Sequence, residues 1–169
     1  MMDYLSQRCS AKVDRLKFHA LTAEASIGGV RVLLMKPQTY MNNSGTAVAE
    51  AKNFYKIPSE NILVFSDDIS MDVGRVRMRL KGSDGGQKGL RSIIAECGSD
   101  NFPRIKFGVG AKPHPDYDLA DWVLSEFSTD DQKKLFACFE RAYDGIVKLL
   151  AGDRDGAVNT ANRAPETNK

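Results

Sequence analysis

This 169-residue sequence has few cysteines and no long apolar run. Its three cysteines, Cys9, Cys97 and Cys138, form no CxxC pair and leave one unpaired, which argues against a disulfide framework. No apolar run reaches the roughly 20 residues that a membrane-spanning helix needs, and no signal-peptide pattern is present. No cluster of metal ligands accompanies the acidic residues. We therefore expect a cytoplasmic protein without a metal and without a membrane partner.

The composition is that of one domain with a substantial core. Apolar residues make up 42% of the chain, and there is no low-complexity tract. The net charge of +2 is unevenly distributed, because nine Lys and Arg face only four acidic residues between Asp72 and Lys112. That segment carries +5 and the rest of the chain −3. A basic middle indicates either a local surface for a polyanion or the solvated face of a strand.

Apolar periodicity switches repeatedly between strand and helix types. Alternating or continuous apolar runs predict strands at 17–27, 30–35, 62–65, 74–81 and 104–110, with a hairpin turn at Gly28-Gly29. Helical spacing predicts helices at 44–55, 90–97 and 129–150, and a turn-rich helix within 153–162. This order predicts an α/β fold, a single-domain three-layer sandwich whose mixed, twisted sheet is flanked by helices. We expect the domain to cover residues 1–163 and a disordered tail to cover 164–169.

Alternation also predicts which way side chains point. The strand at 74–81 should bury Val76, Met78 and Leu80 and expose its cations, which are Arg75, Arg77, Arg79 and Lys81. Lys106 lies between the inward-facing Ile105 and Phe107 of the strand at 104–110. Arg79 and Lys106 are therefore expected on one face of neighbouring strands. The helix at 44–55 should bury an apolar face that consists of Ala47, Val48, Ala51, Phe54 and Tyr55.

Three candidate sites follow the ends of predicted strands. The first is Tyr40 with Asn42, where the plain alternative is a loop whose Ser44 caps the next helix. The second is Asp67-Asp68, which can orient a histidine, hold a metal or cap a turn. The third is the glycine-rich loop at 82–89, which allows backbone to approach a phosphate or sugar but lacks the spacing of a P-loop. Because strand ends meet helix starts at one edge of an α/β sheet, we expect these segments to cluster there.

In order along the chain, five segments resemble the bacterial-type peptidyl-tRNA hydrolases. They are KPQTYMNNSG (36–45), NILVFSDDISMDVG (61–74), GSDGGQKGLRSI (82–93), NFPRIKFGVGAKP (101–113) and GAVNTANR (156–163). The resemblance implies a monomeric enzyme, without metal or organic cofactor, that hydrolyses the ester joining a peptide to the 3′ end of tRNA. Its partner would be peptidyl-tRNA, contacted at the acceptor stem and the 3′ end.

The resemblance also implies roles for particular residues. Asp67 matches the aspartate that orients a general-base histidine in this family. Tyr40 and Asn42 match residues that hold the tRNA end and the ester beside that base. Arg79 and Lys106 fall where the family carries a basic pair that grips tRNA phosphate. Lys88 on the glycine-rich loop can bind phosphate as well.

The sequence departs from the family pattern in two places. This chain lacks two motifs that open the family pattern. They are a strand and loop of the form G-L-G-N-P-G and, downstream of it, T-R-H-N. We therefore expect a truncated N-terminus, a missing first inner strand and no general base, since neither His19 nor His114 lies at the motif position. Gln87-Lys88 stands where the family usually has His-Asn, and a lysine cannot reproduce the paired donor and acceptor of an amide. Both departures predict an inactive chain.

Two alternatives of another class remain open. One is an RNA-binding protein without hydrolysis, similar to the plastid intron-splicing factors that share this fold. The missing histidine and Lys88 favour it, whereas the retained Asp67, Tyr40 and Asn42 favour an enzyme. The other alternative is an inactive, partly folded fragment, because loss of an inner strand would leave backbone groups unpaired.

Overall fold

A computed structural model of the chain describes residues 1–164. The six helices of this part are α1 (Met2–Arg8), α2 (Ser44–Tyr55), α3 (Lys88–Cys97), α4 (Leu119–Val123), α5 (Thr129–Leu150) and α6 (Arg154–Ala161). Its six strands are β1 (Arg15–Lys17), β2 (Ala20–Ile27), β3 (Val30–Pro37), β4 (Val64–Asp68), β5 (Val76–Arg79) and β6 (Arg104–Gly108). Short 3₁₀ turns lie at Met41–Asn43 and Ser59–Asn61. The expected tail begins at Ala164, and its other residues lie outside the described ones.

The strands form two three-stranded sheets. The first has the order β1-β2-β3 and is antiparallel throughout. The second has the order β4-β6-β5, in which β4 runs parallel and β5 antiparallel to β6. Helices flank these strands, so the predicted α/β fold with a mixed sheet is confirmed. The strands β3 and β4 are both sheet edges, and they are not hydrogen-bonded to each other.

The first sheet is built from two tight hairpins. The predicted turn at Gly28-Gly29 is confirmed, with φ of 57° and 82°. The single strand predicted at 17–27 was wrong, because Phe18 and His19 form a second two-residue turn with φ of 57° and 51°. Left-handed φ at two bulky residues is uncommon and gives no glycine or asparagine signal in a sequence.

Aromatic packing on α2 accompanies this second turn. The Phe18 ring lies 5.3 Å from Phe54 and 5.8 Å from Tyr55, measured between centroids, and the Lys17 ammonium lies 4.1 Å from the Phe54 centroid. The bounds of α2 are as predicted, but the expected burial of Phe54 and Tyr55 was wrong, since Phe54 is 62% exposed. These rings therefore pack on the hairpin turn at the protein surface and do not contribute to the core.

Two apolar clusters lie on opposite faces of the second sheet. The larger one joins Met78 and Ile105 to residues of α5 such as Cys138 and Ala142, all of them fully buried. The smaller one packs Leu90 and Ile93 of α3 with Phe102 on the other face. Helix, sheet and helix therefore form the three predicted layers. As expected, Met78 points inward and Arg75, Arg77 and Arg79 are exposed.

The short helix α6 covers the outer edge of β5. The backbone N–H of Met78 donates to Oδ1 of Asn162 at 2.5 Å, and Nδ2 of Asn162 donates to the Met78 carbonyl at 3.1 Å. Small residues let α6 approach α5 closely, because a Cβ on Gly145 would lie 2.9 Å from the Cβ of Ala161. The amide of Asn162 thus takes the place of a neighbouring strand along this edge.

Within residues 1–164, no helix combines the length and the apolar character needed to cross a bilayer.

Candidate functional site

Gln87 connects the three predicted site segments. Its Nε2 donates to Oδ1 of Asp67 at 3.1 Å and lies 3.7 Å from the sulfur of Met41. Its Oε1 accepts from the backbone N–H of Leu90 at 2.8 Å and so caps α3. The loop at 85–89, the end of β4 and the turn after β3 therefore meet at one place, as the sequence predicted.

The turn Met41–Asn43 presents two polar candidates to solvent. Tyr40 is 86% exposed, and Asn42 in the same turn is exposed as well. Ser44 was expected to cap α2, but it is the first residue of that helix, and its hydroxyl donates to the Met41 carbonyl at 2.9 Å. This bond fixes the turn against α2, while Tyr40 and Asn42 remain accessible to a ligand.

Asp68 faces away from Asp67 because successive residues of a strand point in opposite directions. Its carboxylate lies 3.5 Å from the Lys106 ammonium and accepts the backbone N–H of Ser70 at 2.9 Å. Burial by itself would raise the pKa of Asp68, but the hydrogen bonds from Ser70 and the charge of Lys106 outweigh it, so that pKa lies below its usual range. Asp68 is therefore a structural anion, and Asp67 is the carboxylate at the site.

The predicted pair of cations lies on neighbouring strands. Arg77 of β5 is directly opposite Lys106 of β6, and Arg79 follows two residues later on the same face. The two side chains differ in accessibility, since Arg79 is exposed whereas Lys106 is only 15% exposed and paired with Asp68. Lys106 also lies under the glycine-rich loop, where a Cβ on Gly85 would lie 2.9 Å from its Nζ.

Arg104 has a role that the sequence did not predict. It is 2% exposed, and its guanidinium donates to the carbonyls of Gly82 and Ser83 in the glycine-rich loop and to those of Asp100 and Phe102. It therefore ties the loop to β6. The alternation of its strand predicted only that Arg104 lies on the face of Lys106, and nothing in the sequence separates a buried cation from an exposed one there.

The remaining cations of the loop differ in their partners. Lys88, the first residue of α3, is exposed and has no ion pair among residues 1–164. Arg91 lies 3.4 Å from Asp84, whose carboxylate also accepts the Gly86 N–H at 2.6 Å. These bonds lower the pKa of Asp84. Lys88 is thus an exposed cation at the end of the loop, and Arg77 and Arg79 are exposed cations on the strand beside Lys106.

Neither histidine contacts Asp67 in the part of the chain that the structure describes. His19 was expected inside a strand but lies in the hairpin turn, 3.0 Å from a carboxylate oxygen of Glu50. His114 lies in the loop before α4 and accepts the Tyr117 N–H through its carbonyl. Residues 1–164 contain no group of three or more His, Cys, Asp or Glu placed to hold a metal.

Comparisons with known proteins agree on one family. The model of the family described as peptidyl-tRNA hydrolase matches residues 1–169. The chain is 48% identical over 161 residues to a protein named peptidyl-tRNA hydrolase from Caldicellulosiruptor bescii, which covers 95% of this chain and 84% of that protein. A protein of the same name from Agathobacter rectalis is 47% identical over 163 residues, with 96% and 87% covered.

Solved structures give the same result. The crystal structure of peptidyl-tRNA hydrolase from Acinetobacter baumannii is similar to this chain with a TM-score of 0.88 and 29% identity. The match covers 96% of this chain and 83% of that one. The α/β fold described above is therefore the fold of these neighbours.

Proposed function

Because this chain belongs to the peptidyl-tRNA hydrolase family, we propose that it hydrolyses the ester that joins a peptide to the 3′ end of tRNA. The observation that supports this most directly is the contact between Asp67 and Gln87 beside the Met41 turn. It brings a carboxylate, an exposed aromatic and an exposed amide to the same strand ends. The same proposal makes the protein a cytoplasmic monomer that uses neither a metal nor an organic cofactor.

Each site residue has a task that its surroundings suit. Asp67, held by Gln87, is the carboxylate placed to orient a general base and to stabilise its positive charge, and no histidine among residues 1–164 occupies that position. Tyr40 offers a fully accessible ring on which a terminal base can stack, and Asn42 offers one donor and one acceptor for the ester and the ribose. Gln87 cannot accept a proton as a base, so its task is to position Asp67 and the start of α3.

The cations around the loop suit the acceptor stem. Lys88 lies at the end of the glycine-rich loop, Lys106 lies beneath it, and Arg79 is exposed on the strand next to that of Lys106. Phosphate contacts by such cations supply affinity without reading sequence. Arg79 and Lys88 are accessible as they stand, whereas Lys106 must exchange Asp68 for a phosphate or act through the loop. We therefore assign the larger share of tRNA binding to Arg79 and Lys88.

The expectation of an inactive chain has no support in the comparisons, since relatives named as hydrolases match 95% of the chain. They do not favour the non-catalytic RNA-binding alternative either. The test is hydrolysis of a purified peptidyl-tRNA by the chain and by Asp67→Asn. We expect the variant to lose roughly 10²–10⁴-fold in kcat, the range that general-base catalysis supplies. Asp72→Asn, at an exposed carboxyl outside the site, is the matched control and should keep its rate.

The outcome also separates the two functions. If the unsubstituted chain hydrolyses the ester no faster than Asp67→Asn but still binds tRNA, the hydrolase proposal fails and the RNA-binding alternative stands. Binding is measured across a salt series with Arg79→Ala and Lys88→Ala. Each should reduce the dependence of log Kd on log salt by about one phosphate contact. Lys133→Ala on α5, at an exposed cation remote in sequence from the loop, should leave that dependence unchanged.

A further inference from the structure

The helices α2 and α3 contact each other near their first residues, and each follows a segment of the candidate site. The turn Met41–Asn43, which carries Asn42, leads into α2, and the glycine-rich loop with Gln87 leads into α3. Asn42 and the pair formed by Asp67 and Gln87 are therefore attached to two different helix starts. Their separation depends on how these two starts are held together.

Backbone approaches backbone where the two helices meet. Gly45, the second residue of α2, is buried, and a Cβ on it would lie 2.1 Å from the carbonyl oxygen of Ser92 in α3. The second residue of α3, Gly89, makes a reciprocal contact, because a Cβ there would lie 2.7 Å from the sulfur of Met41. Neither contact leaves room for a side chain, so the two helix starts are in direct contact beside the site.

Ser92 also forms a hydrogen bond across this contact. The first four N–H groups of an α-helix have no partner within the helix. One of these in α2, the N–H of Gly45, donates to Oγ of Ser92 at 2.9 Å. Among residues 1–164, the side chain of Asn43, which precedes α2, forms no capping bond. The start of α2 is therefore capped from α3, by a residue 47 positions further along the chain.

A cap from another helix has a consequence that a local cap lacks. An ordinary N-cap belongs to the residue just before the helix, so it moves together with that helix. Ser92 instead lies on α3, whose start is capped by Gln87, and Gln87 donates to Asp67. A series of contacts thus joins the start of α2 through Gly45, Ser92 and Gln87 to the carboxylate of Asp67.

We propose that Ser92 is a positioning residue, whose hydroxyl holds the turn that carries Asn42 at a fixed distance from Asp67. This inference rests on the proposed function, in which Asn42 contacts the ester and Asp67 orients the general base. Without the hydroxyl, the N–H of Gly45 loses its partner, and the start of α2 can shift against α3. A shift of about 1 Å in a positioned group can lower the rate by about a hundredfold.

The first test compares Ser92→Ala with Ser92→Thr in the hydrolysis of a purified peptidyl-tRNA by the full chain. Ser92→Ala should lower kcat by roughly tenfold to a hundredfold, and Ser92→Thr, which keeps the hydroxyl, should restore it. The Kd of uncharged tRNA should stay within about twofold in both variants, because phosphate contacts supply most of that affinity. A loss in kcat without a loss in tRNA affinity distinguishes misplaced site groups from general damage.

Ser99→Ala is the matched control. The Ser99 hydroxyl also accepts a backbone N–H, that of Asn101 at 3.0 Å, but this bond lies within the loop that follows α3. The control therefore removes the same kind of hydrogen bond without touching the contact between α2 and α3. Its kcat should equal that of the unsubstituted chain.

The second test uses nuclear magnetic resonance of the ¹⁵N-labelled full chain and requires no catalysis. The N–H of Gly45 should exchange with solvent about tenfold faster in Ser92→Ala than in the unsubstituted chain, and slowly again in Ser92→Thr. The side-chain amide signals of Asn42 and Gln87 should shift in Ser92→Ala and not in Ser99→Ala. If the unsubstituted chain does not hydrolyse the ester, the proposed function fails, and this second test still decides the role of Ser92.

Four results would overturn the proposal. Unchanged exchange of the Gly45 N–H in Ser92→Ala would show that the hydroxyl does not bind it. Faster exchange with unmoved signals of Asn42 and Gln87 would show that the bond positions nothing. A full kcat in Ser92→Ala, or an equal loss in Ser99→Ala, would assign Ser92 a purely structural role. The same would follow if Ser92→Thr lost kcat while its Gly45 N–H exchanged slowly.

Discussion

The two edges of the sheet β4-β6-β5 differ in how they end. At β5, the backbone of Met78 is closed by the amide of Asn162, which supplies one donor and one acceptor as a peptide group would. At β4, the equivalent groups face a cavity of about 1100 Å³. One correctly placed side chain is therefore enough to close the short β5 edge, whereas the edge of β4 lies along the cavity and pairs with no other strand among residues 1–164.

Side-chain packing is also tighter around the β5 edge than around the β4 edge. At β5, small residues of α5 and α6 meet closely, with Gly145, Ala157 and Ala161 all buried. Beside β4, apolar side chains line open space, and the hydroxyls of Thr39 and Ser66 have no hydrogen-bond partner within residues 1–164. The β5 edge should be sensitive to substitution and the β4 edge tolerant of it, and four predictions test this difference.

The largest effect is expected at Asn162. Asn162→Ala leaves the buried N–H and C=O of Met78 unpaired, at a cost of about 1–3 kcal/mol for each group, so we expect a loss of about 2–6 kcal/mol in the free energy of unfolding. Urea denaturation followed by circular dichroism measures it. Asn159→Ala, at an exposed position of the same helix, is the control and should change stability by less than about 0.5 kcal/mol. Equal midpoints for the two variants would show that the amide does not close the edge.

A smaller loss is expected from Gly145→Ala. Alanine in place of glycine inside a helix ordinarily stabilises by about 1 kcal/mol, but here the added Cβ would lie 2.9 Å from the Cβ of Ala161. Overpacking of this kind costs about 1–3 kcal/mol, so the net change should be a destabilisation of up to about 2 kcal/mol. Thermal unfolding measures it. A rise in Tm would mean that α6 moves away freely and that its contact with α5 is not tight.

Acid should weaken the connection between β4 and β6. The pKa of Asp68 is lower in the folded chain than its ordinary value, so the stabilisation is fully present above that ordinary value and is lost as the pH falls through the folded pKa. Between about pH 5 and pH 2, Asp68→Asn should therefore lose less stability than the unsubstituted chain. Denaturation midpoints across this range measure the slope. Asp116→Asn, at an exposed carboxyl, should keep the original slope, and the same slope in all three proteins would contradict the assignment.

The smallest effect is expected on the open side. Ser66→Ala removes a buried hydroxyl that has no hydrogen-bond partner in the described part of the chain, and so it removes a desolvation penalty without breaking a bond. The free energy of unfolding should stay within about 1 kcal/mol of the original or rise, and Thr39→Val should behave alike. A loss comparable with that of Asn162→Ala would show that these hydroxyls are already bonded.

Regular patterns in the sequence predicted most of the architecture. The hairpin at Gly28-Gly29, the bounds of α2 and α5 and the facing of β5 follow from glycine pairs and from apolar periodicity, which are local signals. The turn at Phe18-His19 did not follow, because its left-handed backbone is stabilised by rings on α2, about 36 residues away along the chain. The conformation of such a turn depends on tertiary contacts that local sequence patterns do not reveal.

The candidate site was predictable in position but not in its connections. Asp67, Asn42 and the glycine-rich loop each follow a strand, so their clustering follows from the α/β order. That Gln87 joins them does not, because its amide contacts Asp67, Met41 and α3 at once. The different roles of Asp67, at the site, and Asp68, paired with Lys106, follow only from the contacts of each carboxylate in the structure. Geometry in three dimensions supplied both results.

The burial of Arg104 has a consequence at long range. Its guanidinium has carbonyl partners but no carboxylate within ion-pair distance among residues 1–164, so its charge is solvated by dipoles and not cancelled. A charge in a medium of low dielectric constant is weakly screened by salt, unlike the exposed cations around it. The glycine-rich loop therefore rests on a buried positive charge, and an anion in direct contact with the loop would interact with that charge in addition to exposed cations such as Arg79 and Lys88.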